Sequence, residues 1–559
     1  FRSVNEVWRP DRARFSYEGL YAPDRLLAPR VRGDDGQWRE TDWDVALDAA
    51  AGALRAVVDA DGPGALGALA SPAATTEEHY LLQALVRGLG GTNVDHRLRE
   101  SDFSDQDEAP AWPWLGLALA DLEGGDAALL VGSNVRKEQP LAGLRLRKAA
   151  LAGASVFALN PVDHAFNFDL AGRIVVSPAE MVDELASVAS AAASVAAASG
   201  APQTPDAGGE GASKAGSRGP HREIAAALAN AGRGVILLGS GALAHPHAAE
   251  LRALARDLAR RTGARLGCLS DGPNAAGAAL AGMLPHRGPG GTPAASPGLD
   301  AAAMLDARLP GYLLLGTEPE LDCANGGAAL AALEAARTVV ALTGYVSPAM
   351  EGYASVLLPI GLFTETPGTF YNAEGRRQRF EAVSQPPGEA RPAWRILRVL
   401  ANRLGIEGFD HESIDDVRAE AQTRIGEVTP PDNLAGPAPA SDPAAAAAGE
   451  GTEGAASPLW RIGEVPIYAV DPIVRRAGAL QQTVEAPAAA VRINPALART
   501  LGVAAGGMAT VRQNGAERVL GVEEDPAVPG GCVLLHAGVP HSAGLDPSWG
   551  PITVEPVST

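Results

Sequence analysis

Short apolar runs alternate with longer amphipathic stretches along most of the chain, and this alternation restricts the fold more than any other feature. The runs are short, buried in character and bounded by turn-forming residues; they include "ALGALAS", "AALLVGS", "SVFALNP", "GVILLGSGAL", "RLGCLS", "GYLLLGTEP" and "VVALTGY". The stretches between them, such as "EEHYLLQALVRGLG" and "HAAELRALARDLARRTGA", have the apolar spacing of amphipathic helices. Strand and helix in this order predict an α/β protein with Rossmann-like parallel sheets and flanking helices.

The C-terminal part of the chain has a different pattern. Short alternating or valine-rich runs, among them "AVRINP", "MATVRQN" and "GCVLLHAG", are separated by Gly-Gly and Pro-Gly turns. This pattern predicts a small β-barrel over residues 459–559.

Two segments lack the apolar residues that would offset the entropy of ordering, and we expect both to be disordered linkers. They cover residues 199–220 and 428–458. They divide the chain into a first α/β block at 1–198, a second, Rossmann-like block at 221–427 and the predicted barrel.

Charge and composition exclude several classes of protein. The net charge of -20 opposes binding to nucleic acid or to anionic lipid. The longest apolar stretches are well short of a membrane span, so we expect no direct insertion into a membrane. The three cysteines, Cys268, Cys323 and Cys532, lie far apart in sequence and cannot form a four-cysteine site, so we expect no metal ligands among them.

A glycine turn follows one predicted strand and precedes a helix. Gly239, Gly241 and Ala244 have the spacing of a dinucleotide fingerprint, and Asp271 ends the next strand, where an acid could bind a ribose. A tight turn needs glycine for geometric reasons alone, and His245 crowds the position of a phosphate. A module that binds a nucleotide without turnover stays open as one hypothesis.

The stretch "LPIGLFTETPGTFYNAEGRRQRF" at 358–380 follows a predicted buried strand and combines many turn-forming and polar residues. Ligands of open α/β sheets bind beyond the carboxyl ends of strands, so the loop is well placed for a site. Its polar groups could equally saturate one another, and the residue types alone do not decide between these interpretations. The candidate binding residues are Glu365, Gly368, Thr369, Asn372, Gly375, Arg376 and Gln378.

The same stretch resembles the signature of the molybdopterin oxidoreductase family. "YAPDRLLAPRVRGDDGQWRETDWDVAL" is similar to an early segment of that family, and the predicted barrel is similar to its C-terminal domain. The resemblance implies a molybdopterin-oxidoreductase-like fold in which the loop at 358–380 lies near a pterin cofactor.

Further phrases are similar to one branch, the G-subunit family of NADH:quinone oxidoreductase (respiratory complex I). They include "NEVWRPDRARFSYEGL", "TTEEHYLLQALVRGLGGTNVDHRLRESDF" and "NAAGAALAGMLPHR". This resemblance implies iron–sulfur clusters in an N-terminal part that we expect before Phe1, and other peripheral-arm subunits of complex I as partners. It also implies a peripheral position on the cytoplasmic face of a bacterial membrane, reached through the complex.

This chain departs from the active members of the family at the positions where those members bind an iron–sulfur cluster and the metal. Pro10 stands where a cluster-binding cysteine precedes the "RF" of the motif, and Arg12 and Ala13 replace its lysine and glycine. Ser101 falls near the metal-binding position, although a serine on a polar turn is more often a helix cap. We therefore expect a vestigial pterin loop in a scaffold subunit with no catalytic or metal-binding residue and no molybdopterin. The alternative is an active molybdopterin-dependent oxidoreductase similar to formate dehydrogenase.

Overall fold

The computed structural model describes residues 6–198, 219–440 and 458–557. The strands are β1 Arg30–Arg32, β2 Trp38–Glu40, β3 Leu66–Ala70, β4 Asn93–Asp95, β5 Ala127–Val131, β6 Ser155–Asn160, β7 Gly172–Val175, β8 Gly234–Leu238, β9 Arg265–Cys268, β10 Gly311–Leu315, β11 Thr338–Thr343, β12 Val356–Pro359, β13 Gly368–Tyr371, β14 Arg377–Phe380, β15 Leu459–Ile462, β16 Ala490–Ile493, β17 Met508–Gln513, β18 Ala516–Glu524, β19 Cys532–Leu534 and β20 Gly550–Pro556.

The α-helices of the described segments are α1 Asp11–Phe15, α2 Trp43–Asp61, α3 Thr76–Gly88, α4 Val135–Glu138, α5 Pro140–Leu151, α6 Met181–Ala198, α7 Gly219–Asn230, α8 Ser240–Leu243, α9 Ala248–Thr262, α10 Ala275–Leu280, α11 Ala301–Asp306, α12 Pro319–Asp322, α13 Gly326–Ala335, α14 Pro348–Tyr353, α15 Ala393–Arg403, α16 Ile414–Ile425, α17 Pro472–Arg475, α18 Gly478–Gln481 and α19 Pro495–Leu501. Short 3-10 helices occur at Ser16–Tyr21, Pro63–Ala65, Leu119–Gly124, Pro178–Glu180, Pro289–Gly291 and Pro540–Ser542.

Two sheets form the α/β body. The larger has seven strands in the order β2-β1-β12-β11-β10-β3-β4, in which β12, β11, β10, β3 and β4 are parallel and β1 pairs antiparallel with both β12 and β2. The smaller is a five-stranded parallel sheet in the order β7-β6-β5-β8-β9. The predicted parallel sheets with flanking helices are therefore confirmed.

Strand pairing crosses the boundary that the sequence analysis places at 199–220. In the larger sheet, Leu66–Ala70 pairs in register with Gly311–Leu315, and in the smaller sheet Ala127–Val131 pairs with Gly234–Leu238. Each sheet thus contains strands from both predicted blocks. The chain leaves the first sheet after β4, builds the second, and returns to the first at β10.

The six strands β15 to β20 close into a barrel in the order β15-β19-β16-β18-β17-β20. Its interior contains Val491, Ile493, Val511, Val522 and Val554, all almost inaccessible to solvent. These valines and isoleucines alternate with polar residues along the strands, which is the pattern that predicts a barrel from the sequence.

Local signals fix the helices that border the sheets. Asp42 accepts a hydrogen bond from Val45 N at the start of α2, and Gly62 ends that helix at φ 83°. Helix α3 begins with a capping box between Thr75 and Glu78. Together with α15 and α16 these helices cover one face of the larger sheet, where Leu54, Leu82 and Leu400 are part of one buried cluster.

Most of the two predicted linkers lies outside the described residues, at 199–218 and 441–457. Residues 219–220 belong to helix α7, and residues 428–440 contact the body. Asn433 Nδ2 donates to the carbonyls of Leu266 (2.7 Å) and Trp114 (3.0 Å). The side-chain amide of Asn433 thus satisfies two backbone carbonyl groups of the body.

Across the described ranges, no helix is both long and apolar enough to cross a membrane.

Candidate functional site

A cavity of about 1050 Å³ lies where the two sheets and the barrel meet. Its walls include residues just beyond the carboxyl ends of strands in both sheets, such as Ser71 after β3, Gly316 after β10 and Asn134 after β5. In each sheet the strand order reverses at this edge, between β3 and β10 and between β5 and β8. Open α/β sheets bind ligands at such reversal points, so this cavity is the candidate site.

The ionisable side chains around the cavity are mainly acidic. Its described lining contains twelve carboxylates and seven arginine or lysine side chains. Several of the cations are held by acids rather than presented to the cavity: Arg97–Asp95 (2.8 Å), Arg99–Asp271 (2.6 Å) and Arg252–Asp105 (2.6 Å). The electrostatic potential of such a lining opposes a polyanionic ligand.

Glu365 of the predicted pterin loop is buried in an ion pair. Arg25 Nη2 donates to Glu365 Oε2 at 2.9 Å and Nη1 donates to Oε1 at 3.3 Å, and each side chain is about 5% exposed or less. The same carboxylate accepts from the backbone N–H of Leu362 at 2.8 Å. Glu365 therefore fastens the loop to the N-terminal segment.

Thr369 is bound to helix α3. Its N–H donates to Glu77 Oε2 at 2.8 Å, and its hydroxyl donates to Glu77 Oε1 at 2.6 Å. Arg418 Nε of helix α16 donates to the same carboxylate at 3.2 Å. Thr369 thus belongs to a buried polar contact among three elements.

The hairpin of β13 and β14 explains which loop residues reach the cavity. Phe370 and Phe380 line it, whereas Thr369 and Tyr371, the neighbours of Phe370, face the other way because successive side chains of a strand alternate. Gln378 is exposed opposite Phe370 in the hairpin register.

The hairpin turn is organised by Asn372. Its Oδ1 accepts from the N–H groups of Glu374 (3.0 Å) and Arg376 (2.9 Å). Glu374 in turn accepts from the N–H of Leu119 at 2.7 Å and lies 3.5 Å from Arg376 Nε. These polar groups bind one another, as expected for the self-saturated interpretation of the loop.

Close packing leaves no room for a side chain at either candidate glycine of the loop. A Cβ on Gly368 would lie 2.3 Å from Thr75 Cγ2, and a Cβ on Gly375 would lie 2.6 Å from the indole of Trp112. Gly375 also has φ +77°, a backbone conformation that side chains strain.

We expect Gly375→Ala to lower the free energy of unfolding by about 1–3 kcal/mol, because it combines a left-handed backbone with a clash against Trp112. Urea denaturation followed by tryptophan fluorescence measures the change. Gly352→Ala is the matched control, since Gly352 lies in helix α14 with open space around its Cα. Equal stability of the two variants would contradict the packing role of Gly375.

Among the described residues that line the cavity, none is one of the seven loop candidates or Ser101. Ser101 is exposed, and its hydroxyl donates to the carbonyl of Ala244 at 3.0 Å. Pro10 precedes helix α1 and offers no side-chain donor for a cluster. The side chains that do line the cavity from the loop are Ile360, Leu362, Phe363 and Thr366 together with Phe370 and Phe380.

The glycine turn after β8 packs against the turn after β5. Gly241 N donates to the carbonyl of Gly132 at 2.9 Å, and a Cβ on Gly239 would lie 2.3 Å from that of Ser133. Asp271, the candidate ribose ligand, is held by Arg99. Contact between two turns therefore accounts for these glycines.

Sequence reasoning missed the polar corner between the smaller sheet and the barrel. Glu138 follows β5, His164 follows β6 and Glu464 follows β15, and all three line the cavity. The sequence did indicate that Glu138 could lie near a site, because "VGSNVRKE" extends beyond the carboxyl end of a predicted strand. The approach of Glu464 depends on barrel docking, which the sequence does not encode locally.

The cysteines near the cavity are protonated thiols. Burial raises the pKa of Cys268 to about 11 and raises the pKa of Cys323 well above its ordinary value. Both thiols are therefore less acidic than an exposed cysteine.

His79 on helix α3 is fully buried, and within the described part of the chain neither ring nitrogen has a hydrogen-bond partner. Burial, with a smaller contribution from His96, lowers its pKa well below the ordinary value. The folded protein therefore binds its proton less readily than the unfolded chain. The stability that follows from this difference is complete above about pH 6.5 and is lost as the pH falls further.

We expect His79→Leu to remove this pH dependence, so that unfolding free energy falls about 2 kcal/mol less between pH 7 and pH 5 than in the wild type. Urea midpoints at a series of pH values measure the effect. His247→Leu, at the partly exposed start of helix α9, is the control and should keep the wild-type slope. If the unfolding free energy of His79→Leu changed with pH as steeply as that of the wild type, His79 would not be the titrating group.

Two sheets with reversed strand order and a barrel surround one cavity, and a sequence comparison identifies the family to which this arrangement belongs. A sequence profile described as molybdopterin oxidoreductase matches residues 25–403. The chain belongs to the molybdopterin oxidoreductase family.

Curated proteins similar to this chain include subunits of NADH-quinone and NADH-ubiquinone oxidoreductases. The G subunit of NADH-quinone oxidoreductase from Streptomyces coelicolor is 30% identical over 467 residues, which cover 74% of this chain and 50% of that protein. The mitochondrial 78 kDa subunit of NADH-ubiquinone oxidoreductase from Candida albicans is 26% identical over 429 residues, 76% of this chain and 51% of that protein. The predicted resemblance to the G-subunit family is confirmed, and the chain spans about half the length of the curated relatives it matches.

Among solved structures, acetylene hydratase from Pelobacter acetylenicus has a similar fold. Its TM-score is 0.62 at 15% identity, covering 96% of this chain and 93% of that one. At this identity the likeness concerns the fold alone.

Proposed function

We propose that this chain is a structural part of the peripheral arm of an NADH:quinone oxidoreductase and carries no redox cofactor of its own. In this role it supports electron transfer from NADH to quinone through clusters held in other parts of the assembly. Its partners are the other peripheral-arm subunits, and it lies on the cytoplasmic face of the bacterial membrane through them. The similarity to the G-subunit family across 74% of the chain supports the assignment to this complex.

One observation carries the scaffold interpretation. The polar side chains of the loop at 358–380 bind other parts of the protein: Glu365 binds Arg25, Thr369 binds Glu77, and Asn372 binds its own turn. A loop that held a cofactor would present such donors and acceptors to the ligand.

The residues around the cavity fit a molybdopterin dinucleotide poorly. The surplus of carboxylates opposes its phosphates, and Ser101 at the expected metal position points to a backbone carbonyl. An active molybdopterin oxidoreductase remains the second candidate because the cavity is large enough for a cofactor.

Assembly in a bacterial host tests the proposed role. We expect removal of this segment from its gene to abolish the intact NADH:quinone oxidoreductase on native gels of solubilised membranes. A chain with Ser101→Ala should restore both the complex and NADH oxidation, because Ser101 has no cofactor to bind. Restoration of assembly with loss of oxidation in the Ser101→Ala strain would favour the active enzyme instead.

A further inference from the structure

The polar corner is formed by Asn134, Glu138, His164 and Glu464, at the reversal point of the smaller sheet. Glu138 is partly exposed there, and the side chain of Glu464 is 21% exposed. His164 Nε2 lies 2.9 Å from Glu464 Oε1, which joins the body to the barrel across the cavity wall. Two carboxylates from different domains therefore approach the same space.

Glu138 occupies the donors that this crevice offers. Its Oε1 accepts from the N–H of Asn134 at 3.1 Å, and its Oε2 accepts from Ser133 Oγ at 3.3 Å and from the N–H of Ser240 at 3.4 Å. In open α/β sheets, backbone N–H groups at this position commonly bind a ligand's phosphate. A carboxylate of the chain itself now takes them, so an anionic ligand would meet both occupied donors and a like charge.

An unsatisfied acceptor lies in the same corner. Asn134 is 8% exposed and lines the cavity, and its Oδ1 has no hydrogen-bond partner among the residues that the structure describes. Its Nδ2 lies 3.3 Å from His164 Nδ1. A buried amide oxygen without a donor costs about 1–3 kcal/mol, and a ligand with N–H groups would recover part of that cost.

One cation lies in the corner itself: burial opposes protonation of His164, but the charge and hydrogen bond of Glu464 outweigh it and raise the pKa of His164, so Glu464 has a partner. The other nearby cations are engaged elsewhere. Lys137 is paired with Glu485, and Arg136 donates to the carbonyl of Ala165 at 3.1 Å. His536 is uncharged at neutral pH because burial lowers its pKa to about 4. Apolar side chains adjoin the corner, among them Val162, Leu534 and Trp549.

We propose that this corner binds the ammonium group of a small organic cation, with Glu138 and Asn134 Oδ1 as the hydrogen-bond acceptors and the apolar wall receiving the organic part. The site goes beyond the structural role proposed above and does not depend on assembly into a complex.

Proton binding by Glu138 gives the site a signature. Burial, and then the charge of Glu464, raises the pKa of Glu138 to about 7. The groups that face it are Glu464, His164 and Lys137. Because the ionised carboxylate attracts the cation, affinity for an ammonium ligand should rise between about pH 6 and pH 8.

Isothermal titration calorimetry with matched probes tests the proposal. Phenethylamine supplies the ammonium group, 3-phenylpropanoate supplies a carboxylate on a similar frame, and GDP supplies phosphates. We expect binding of phenethylamine alone, about tenfold weaker in Glu138→Gln and with a smaller rise in affinity between pH 6 and pH 8 in that variant. Asn134→Asp adds a carboxylate and should tighten the binding of phenethylamine, so the test includes one variant with an expected gain in affinity. Glu517→Gln, on the exposed face of the barrel, is the control and should bind as the wild type does.

Three results would overturn the proposal. They are absence of phenethylamine binding to the wild type, equal affinity for 3-phenylpropanoate, or an affinity that neither Glu138→Gln nor Asn134→Asp changes. Binding of GDP in place of phenethylamine would overturn it as well and would favour a nucleotide module. The role in complex assembly would stand in each case, because it is measured on native gels.

Discussion

Replacing Glu318 by alanine is expected to lower the free energy of unfolding by about 3–5 kcal/mol. Glu318 is 1% exposed and lies between two arginines of the barrel-side segment: Arg475 Nη2 donates to it at 2.8 Å and Arg476 Nη2 at 2.6 Å. Asp322 and Asp24 complete the network, with Arg475 at 2.9 Å and Arg476 at 2.6 Å respectively. Without Glu318, two buried or nearly buried guanidinium groups would share too few acceptors, and this imbalance is the source of the cost.

Thermal and urea denaturation measure this effect, and Glu318→Gln supplies a milder variant that keeps the shape of the side chain. Glu381→Ala is the control, because its ion pair with Arg379 is more than half exposed and should contribute less than about 1 kcal/mol. If Glu318→Ala and Glu381→Ala had similar free energies of unfolding, the buried network around Glu318 would not stabilise the protein as described.

We expect Glu365→Ala to cost about 3–5 kcal/mol as well, because it leaves Arg25 buried without its carboxylate. Arg25 also lies over the ring of Tyr345, 5.6 Å from its centroid, and cannot reach solvent without moving that wall. The same denaturation measurements apply. The double variant Arg25→Met/Glu365→Leu should recover most of the loss, because it removes both charges together.

The double variant separates a structural role of Glu365 from a ligand-binding role. Recovery of stability with an unchanged fold would agree with an internal ion pair. A variant Glu365→Ala of wild-type stability would contradict that account and would reopen the loop as a ligand clamp. Gln378→Ala, on the exposed strand of the hairpin, is the matched control and should be neutral within about 0.5 kcal/mol.

Local sequence predicted the elements well because their signals are local. The strand "GYLLLGTEP" is a short apolar run with a glycine turn, and the structure places β10 at Gly311–Leu315 within it. Its pairing with Leu66–Ala70 connects residues more than two hundred positions apart, and nothing within either run specifies that partner. Interpreting each block by itself could therefore not predict that each sheet contains strands from both blocks.

The contacts of the candidate loop could not be predicted from the sequence. The loop at 358–380 borders the cavity through Phe370, whereas the candidate residue Thr369 faces helix α3. Glu77, the partner of Thr369, is almost three hundred residues earlier in the chain. The polarity of a side chain predicts that it needs a partner, whereas only the folded structure decides whether that partner is a ligand or the protein.

The loop therefore illustrates how a fold and its chemistry can separate. The same glutamates, threonine and asparagine that would suit a ligand clamp instead join the N-terminal segment, helix α3 and the hairpin turn. Such contacts stabilise the walls of a cavity whatever the cavity contains.

Molybdenum and pterin content of the purified chain is the most direct test of the cofactor-free scaffold. The protein is expressed with ample molybdate in a host that makes the cofactor, then measured by elemental analysis and by pterin fluorescence after oxidation. We predict neither molybdenum nor pterin above the level found with an unrelated protein. Near-stoichiometric amounts of both would contradict the scaffold account and would make the cavity an active site.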